Sequence, residues 1–473
     1  MRAHSFRIFA VAIAAVMIFG TTSAFAQTGG GGGGGDTAQP STGGVLIDAD
    51  HVLSTRKFVA NTNALSQKRF KHAQASLNKE LQKVSKLRKV SLVRLEAEVA
   101  RLKAEGKQLP DDVRFLAGLT RITHVFHYPE EDDIVIAGPA EGFFLNGQER
   151  VVGMETGRAT LRLEDLVAAL RTFGPEGKRA SLISCSIDPT QEGLQRFNEA
   201  QRMINAKYAG RLSHFTNQIV NEIGRTYYNA LGNQTITING VSNKTRFAQV
   251  LAEADYRMKL YGIGVEKPPV RIITFLEQAK PGTGGSGKLQ RWYFTPDYDC
   301  VKVNEEGNAM ALEGSGVKLA CEDEVVSASG KRTRKGGANV ASRRFCASFT
   351  KNYDKLAAKA TVFGELRNLV DMSIAAAFIQ KADLYSKSNW DMSTFGDESK
   401  FPIEIYPAPE KVAPVINAVV KAGQLMTPIG GGVNIQPRVA LNSDKAAVDT
   451  KGDIKKVRES IKFDLADGQW WWD

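Results

Sequence analysis

The stretch Ser181 to Leu194, SLISCSIDPTQEGL, reads as a buried strand, a sharp turn and a helix start. Leu182, Ile183, Cys185 and Ile187 form the short apolar run of a covered strand. Asp188 can cap a following helix, and Pro189 suits the first helical position, where no N–H is needed. Gln191 stands where a capping-box partner would. Ligands favour the loops that follow strand ends in α/β layers, so Cys185 is the first candidate for chemistry. The plainer reading makes it a small buried core residue or half of a disulfide.

Toward the N-terminus, residues 1–26 read as a secretory signal. Arg2 and Arg7 supply the positive start, Ile8 to Phe19 the apolar core, and Ala24-Phe25-Ala26 the small-x-small cleavage pattern. Residues 27–44 carry seven consecutive glycines, Gly29 to Gly35, and have almost nothing to bury, as in a tether. The expected chain is therefore exported, periplasmic or extracellular, with no transmembrane span after signal removal. Four cysteines remain, Cys185, Cys300, Cys321 and Cys346. An oxidising compartment permits disulfides, and four cysteines allow three pairings that sequence does not choose among.

The alternation of strands and helices predicts an α+β fold. A first domain over 45–279 is partly α/β layered. A linker over 280–288 leads to a second domain over 289–441, an antiparallel meander plus two helices. A loose tail over 442–473 ends in Trp470-Trp471-Trp472-Asp473. Three exposed tryptophans invite association, so they should dock on this chain, a partner or a membrane surface. Gly282 to Lys288 matches G-x-x-x-x-G-K, but Leu289 stands where a magnesium-binding Ser or Thr is needed, and a strand pattern follows. Phe401 to Tyr406 and Val270 to Phe275 read as strands. Leu425 to Ile435, LMTPIGGGVNI, reads as a hairpin bent at its glycines.

The chain carries a formal charge of +11, and Arg56 to Lys107 holds 14 Lys or Arg against 4 Glu. Leu92, Leu95, Val99 and Leu102 fall on one helical stripe, leaving the basic residues on the outer face. Lys68, Arg69, Lys71, Lys86, Arg88 and Lys89 make a candidate basic patch for an anionic envelope polymer. No aromatic residues interleave with them, which argues against single-stranded nucleic acid. His124 and His127 lie on one strand, three apart and so on opposite faces; they are not a ready metal pair.

Five segments, HVFHYPEEDDIVIAGPAEGF, SCSIDPTQEGL, FAQVLAEADYRMKLYGIGVEKPPV, QRWYFTPDYDCV and LMTPIGGGVNIQPR, together resemble a family of exported planctomycete proteins of unknown function. The resemblance spans about Val45 to Arg438. It implies an envelope or extracellular protein and carries over no catalytic residue or ligand.

HExxH, G-x-S-x-G, a complete phosphate loop and zinc-site spacing do not occur, and no cofactor is implied. The leading expectation is a non-enzymatic binding or assembly module, with an anionic envelope polymer or another envelope protein as partner. One alternative is a hydrolase with Cys185 as nucleophile and His124 or His127, at a strand end in the same sheet, as base. A second is a polyanion-binding protein acting through the basic 56–107 helices.

Overall fold

The computed structural model describes residues 44–56, 62–175, 182–208, 216–279, 288–334, 336–417, 429–442 and 446–473. The expected signal, nearly all of the glycine-rich stretch and all of 280–288 except Lys288 lie outside them.

The described residues form an α+β fold. One sheet of nine strands runs in the order Val45–Ile47, Val52–Thr55, Lys411–Val412, Gln234–Asn239, Ile183–Asp188, Ile429–Ile435, Lys288–Pro296, Val317–Val326, Arg332–Arg334. A second sheet of seven runs Ala447–Val448, Val301–Val303, Ala309–Leu312, His124–Tyr128, Asp133–Ala140, Ser85–Ser91, Trp471–Trp472. Both sheets mix strands from before 280 and after 288, and one apolar core runs from Val45 to Trp470. Neither large sheet is built from one side of 280–288 alone, whereas a small hairpin sheet, Phe143–Leu145 with Val151–Gly153, lies wholly before it. Lys288–Pro296 pairs antiparallel with Val317–Val326 in the first sheet, while Val301–Val303 and Ala309–Leu312 pair in the second.

Local chemistry explains which elements form where. Leu92–Ala104 is a helix, capped by Ser91 Oγ, which accepts from the Arg94 amide at 3.0 Å. Its stripe Leu92, Leu95, Val99 and Leu102 is buried as the spacing predicts. Just before it, Ser85–Ser91 is a central strand inside the basic stretch expected to be helical. Leu163–Thr172 buries Leu163, Leu166, Val167 and Leu170. Arg246–Gly262 and Thr361–Lys381 are buried almost all round and pack on one another; the first also lies against Ile183–Asp188 and Ile429–Ile435. No helix among the described residues is long and apolar enough to cross a membrane.

Two expected strands are absent because side chains take their backbone groups. Glu398 Oε1 accepts from the amides of Ile403 and Glu404, both at 2.8 Å, so the Phe401 to Tyr406 segment stays irregular. Thr274 and Glu277 form a capping box, and a helix, Phe275–Gln278, starts where a strand was expected to end. Of the expected glycine hairpin, residues 425–428 lie outside the described residues, and Ile429–Ile435 is a strand held between Ile183–Asp188 and Lys288–Pro296. A Cβ at Gly431 would lie 2.2 Å from the Trp292 carbonyl oxygen and 2.8 Å from Lys259 Cε; at Gly432 it would lie 2.1 Å from the Cys185 carbonyl oxygen. Only glycine lets these neighbours approach so closely.

The described residues 446–473 include strands and a helix joined to the fold. Trp471 and Trp472 pair antiparallel with Val90 and Lys89, and Trp470 O accepts from the Ser91 amide at 2.9 Å. Trp470 and Trp472 are buried, and the Trp472 ring meets Phe463. The tryptophans thus dock on this chain's own sheet.

Candidate functional site

The strand carrying Cys185 alternates inward and outward, and Cys185 faces the core. Its helix starts later than expected. Thr190, not Asp188, supplies the cap, its Oγ accepting from the Gly193 amide at 2.9 Å, and the helix runs Gln191–Tyr208. Asp188 is instead drawn to Arg332 (3.0 Å) and Arg291 (3.6 Å), on strands farther along the same sheet. The expected nucleophile–base pair does not form. His124 and His127 belong to the seven-stranded sheet, and Cys185 to the nine-stranded one. Near Cys185 stand Asp255 and Lys259, a fully buried ion pair at 2.9 Å. Burial, then the Asp255 charge, pushes the Cys185 thiol well above its ordinary range, which is the reverse of activation. His124 and His127 are each held below the ordinary histidine range, first by burial.

The expected basic patch also comes apart. Arg88 is fully buried and Lys89 nearly so, because Ser85–Ser91 is an inner strand. Arg69 donates to the Asn146 carbonyl at 2.7 Å. Lys68, Lys71 and Lys86 remain exposed. All four cysteines are free thiols.

What the fold does assemble is a cavity of about 590 Å³ where three distant segments meet. The first is the end of helix Leu92–Ala104. Gly106 takes φ 68° there, and its amide and that of Lys107 close back on Lys103 and Leu102 at 3.0 and 2.9 Å. That reversal places Lys103 and Lys107 on the wall, followed by Arg114 and Phe115. The second is the start of helix Leu163–Thr172, with Arg162 and Glu164. The third is the irregular segment of Phe401, Ile405 and Tyr406. Arg171 pins that segment, donating to the carbonyls of Phe395 and Phe401, both at 2.6 Å.

Four cations (Lys103, Lys107, Arg114, Arg162) face one carboxylate (Glu164) across this lining. Three of the cations lie over rings, while Lys107 pairs with Glu105 at 2.7 Å and Arg114 also reaches Asp111 at 3.1 Å. Arg114 and Arg162 lie 5.3 and 5.4 Å from the Phe115 centroid, and Lys103 Nζ lies 5.5 Å from that of Phe401. Glu164 accepts from Tyr406 Oη at 2.7 Å and from Arg162 at 3.3 Å. Burial, reinforced by the nearby Arg246 charge, pushes Arg162 down to about 10. An added negative charge would offset both effects by favouring the charged guanidinium. The volume lies in the range of small-molecule sites, and cations over aromatic walls suit a ligand with an anionic edge and an apolar face.

Behind the cavity runs a line of buried ion pairs. Asp165 holds Arg246, Arg246 and Arg150 share Glu365, and Arg150 meets Glu253 at 2.5 Å. Glu253 in turn meets Arg257 at 2.8 Å, and Arg257 meets Glu266 at 2.7 Å. These pairs tie the hairpin at Arg150 to the helices Leu163–Thr172, Arg246–Gly262 and Thr361–Lys381, so the cavity has a stiff back wall.

The sequence reading stopped at Lys107 and so contained two of the four cations. The signal for the other two, a lone Arg114 beside Phe115 and Arg162 before a helix start, is too common to single out. No curated protein and no solved structure matches the chain. Residues 185–275, part of the chain, match the family model described as Protein of unknown function (DUF1598).

Proposed function

We propose that this is an exported, non-enzymatic binding module. Its cavity between Lys103, Arg114, Arg162 and Phe401 takes an acidic sugar unit of an anionic envelope polymer. The observation that carries the reading is the pairing of four cations and one carboxylate with three aromatic rings, Phe115, Phe401 and Tyr406, on one cavity wall. The rings offer apolar faces to a sugar ring, and the guanidinium groups offer forked donors to a carboxylate or sulfate. Arg2, Arg7, the apolar run Ile8 to Phe19 and Ala24-Phe25-Ala26 support export. The polymer reading shifts from the 56–107 helix faces to this cavity because Arg88 and Lys89 point into the core.

The test is calorimetric titration with a heparin tetrasaccharide, against neutral cellotetraose. The acidic probe should bind, weaken steeply with salt, and lose at least about tenfold in affinity in the K103E/R114E double variant. The K68E/K71E variant should bind within about twofold of wild type. Loss in K68E/K71E but not in K103E/R114E would move the function back to the exposed helix. Equal binding of cellotetraose would remove the charge argument.

A further inference from the structure

The four cysteines are not equivalent. Cys185 and Cys300 are buried, and burial raises both thiols, Cys300 to about 12. Cys321 and Cys346 lie together. Cys321 sits in strand Val317–Val326 opposite Trp292, and Cys346 on the inner face of helix Val340–Lys351, which packs across that strand. Cys346 Sγ donates to the carbonyl oxygen of Ala320, the residue before Cys321, at 3.6 Å, which brings the Cys346 thiol beside that of Cys321. Cys346 is buried while Cys321 is half-exposed, so a reagent from solvent meets one sulfur of the pair first.

We infer that Cys321 and Cys346 are a redox pair that closes to a disulfide, joining helix Val340–Lys351 to the nine-stranded sheet. The oxidant is an external disulfide, a small molecule or a protein. The Cys321 thiolate attacks one sulfur of R–S–S–R′, forming Cys321–S–S–R and releasing R′S⁻, which takes up a proton. The Cys346 thiol then gives up its proton and attacks the Cys321 sulfur, expelling RS⁻, which is protonated in turn. Two cysteine thiols and one external disulfide become one internal disulfide and two external thiols, with no change in electron count. The order follows from the pair's own chemistry. The neighbouring Cys346 thiol holds Cys321 below the usual thiol range, against its burial and the Asp323 charge, and the Arg343 charge helps. Burial, then the contact with Cys321, holds Cys346 above it. The low, half-exposed thiol attacks and the high, buried one resolves. This pairing excludes the other connectivities for these two residues, and it stands independently of what the cavity binds.

The full chain, purified reduced, would be incubated with oxidised glutathione, denatured, alkylated with N-ethylmaleimide and weighed intact and after proteolysis. Two of the four thiols should escape alkylation. One cross-linked peptide should join Cys321 to Cys346 and vanish on reduction. In Cys346→Ser the reaction should stop at a glutathione adduct on Cys321, whereas Cys321→Ser should acquire neither adduct nor cross-link. Alkylation of all four thiols after oxidant treatment, a cross-link through Cys185 or Cys300, or faster glutathionylation of Cys346 in Cys321→Ser than of Cys321 in Cys346→Ser would overturn the inference.

Discussion

Arg88 and Asp473 meet edge to edge inside the second sheet. Arg88 Nε donates to Asp473 Oδ1 at 2.9 Å and Nη2 to Oδ2 at 2.8 Å, while Nη1 donates to the Ala117 carbonyl at 2.8 Å. The guanidinium is fully buried, stacks on Trp471 at 4.7 Å, and also reaches the carbonyls of Leu81, Glu80 and Lys83. A residue that looked like part of a polymer-binding surface is a clasp for the last strand of its own sheet.

Breaking this clasp should cost stability without touching the cavity. Arg88→Ala empties the buried guanidinium site and leaves four carbonyls and the partly exposed Asp473 carboxylate without this donor, and is expected to lose about 3–5 kcal/mol. Asp473→Ala keeps the carbonyl partners and should lose about 1–2 kcal/mol. Urea unfolding midpoints at matched m-values measure both. Equal losses would mean the carboxylate, not the carbonyl cage, compensates the charge.

Asp133 should make stability fall as pH rises through the mildly acidic range. Burial pushes its carboxyl up to about 6, against hydrogen bonds from Ser91 Oγ and the Ile134 amide, both at 2.8 Å. The folded state therefore keeps this proton where the unfolded state, with the ordinary aspartate value of 3.8, has released it. The contribution is full below the unfolded value and is lost as the pH climbs through about 6. Asp165 and Asp255, also raised to about 6, act in the same direction, so the difference between two curves isolates the one site. Asp133→Asn, which keeps an acceptor for Ser91, should show a shallower decline between about pH 4 and 6. The two curves should diverge by up to about 3 kcal/mol. Parallel curves would rule the assignment out.

Gly431→Ala should be severely destabilising. Its Cβ would meet a backbone carbonyl at 2.2 Å in the middle of a nine-stranded sheet, where neither neighbour can yield. A loss of about 2–4 kcal/mol, or failure to accumulate soluble protein, is expected. Thermal unfolding decides it, and a near-native midpoint would show that the Trp292 backbone moves freely.

Glu164→Gln should tighten binding of the heparin tetrasaccharide by about three- to tenfold, since it removes the carboxylate from a cationic lining while keeping an acceptor for Tyr406 Oη. Calorimetry at two salt concentrations tests this. Unchanged affinity at both would place the acidic probe away from the start of the Leu163–Thr172 helix.

Glu365→Gln should weaken the fold from inside the ion-pair line, because both Arg150 and Arg246 lean on that carboxylate and both are buried. About 3–5 kcal/mol is expected by urea unfolding. A change within about 1 kcal/mol would mean that Asp165 and Glu253 suffice for the two arginines.

The helices were legible because their apolar spacing is a local property: Leu92, Leu95, Val99 and Leu102, or Leu163, Leu166, Val167 and Leu170, are buried where periodicity puts them. The strand–turn–helix at Cys185 was legible to within two residues for the same reason. Three things were not. Ser85–Ser91 hides in a basic run because Arg88 and Lys89 are neutralised by partners hundreds of residues away or by carbonyls, which no window can see. Gly430 to Gly432 looks like a bend, because the neighbours that require glycine lie on Trp292, Lys259 and Cys185. The cavity draws its cations from Lys103 to Arg162 and its rings from Phe115 to Tyr406, so it exists only once the chain has closed on itself.

Sheet order also dictates a timetable. Ile183–Asp188 pairs with Ile429–Ile435, and Ser85–Ser91 pairs with Trp471–Trp472, so neither sheet can close while the polypeptide is still emerging. Residues 185–275 cut from the rest would expose the buried helix Arg246–Gly262 and an unpaired strand edge at Cys185. Until the last strand is made, each sheet lacks a strand that its neighbour needs for pairing.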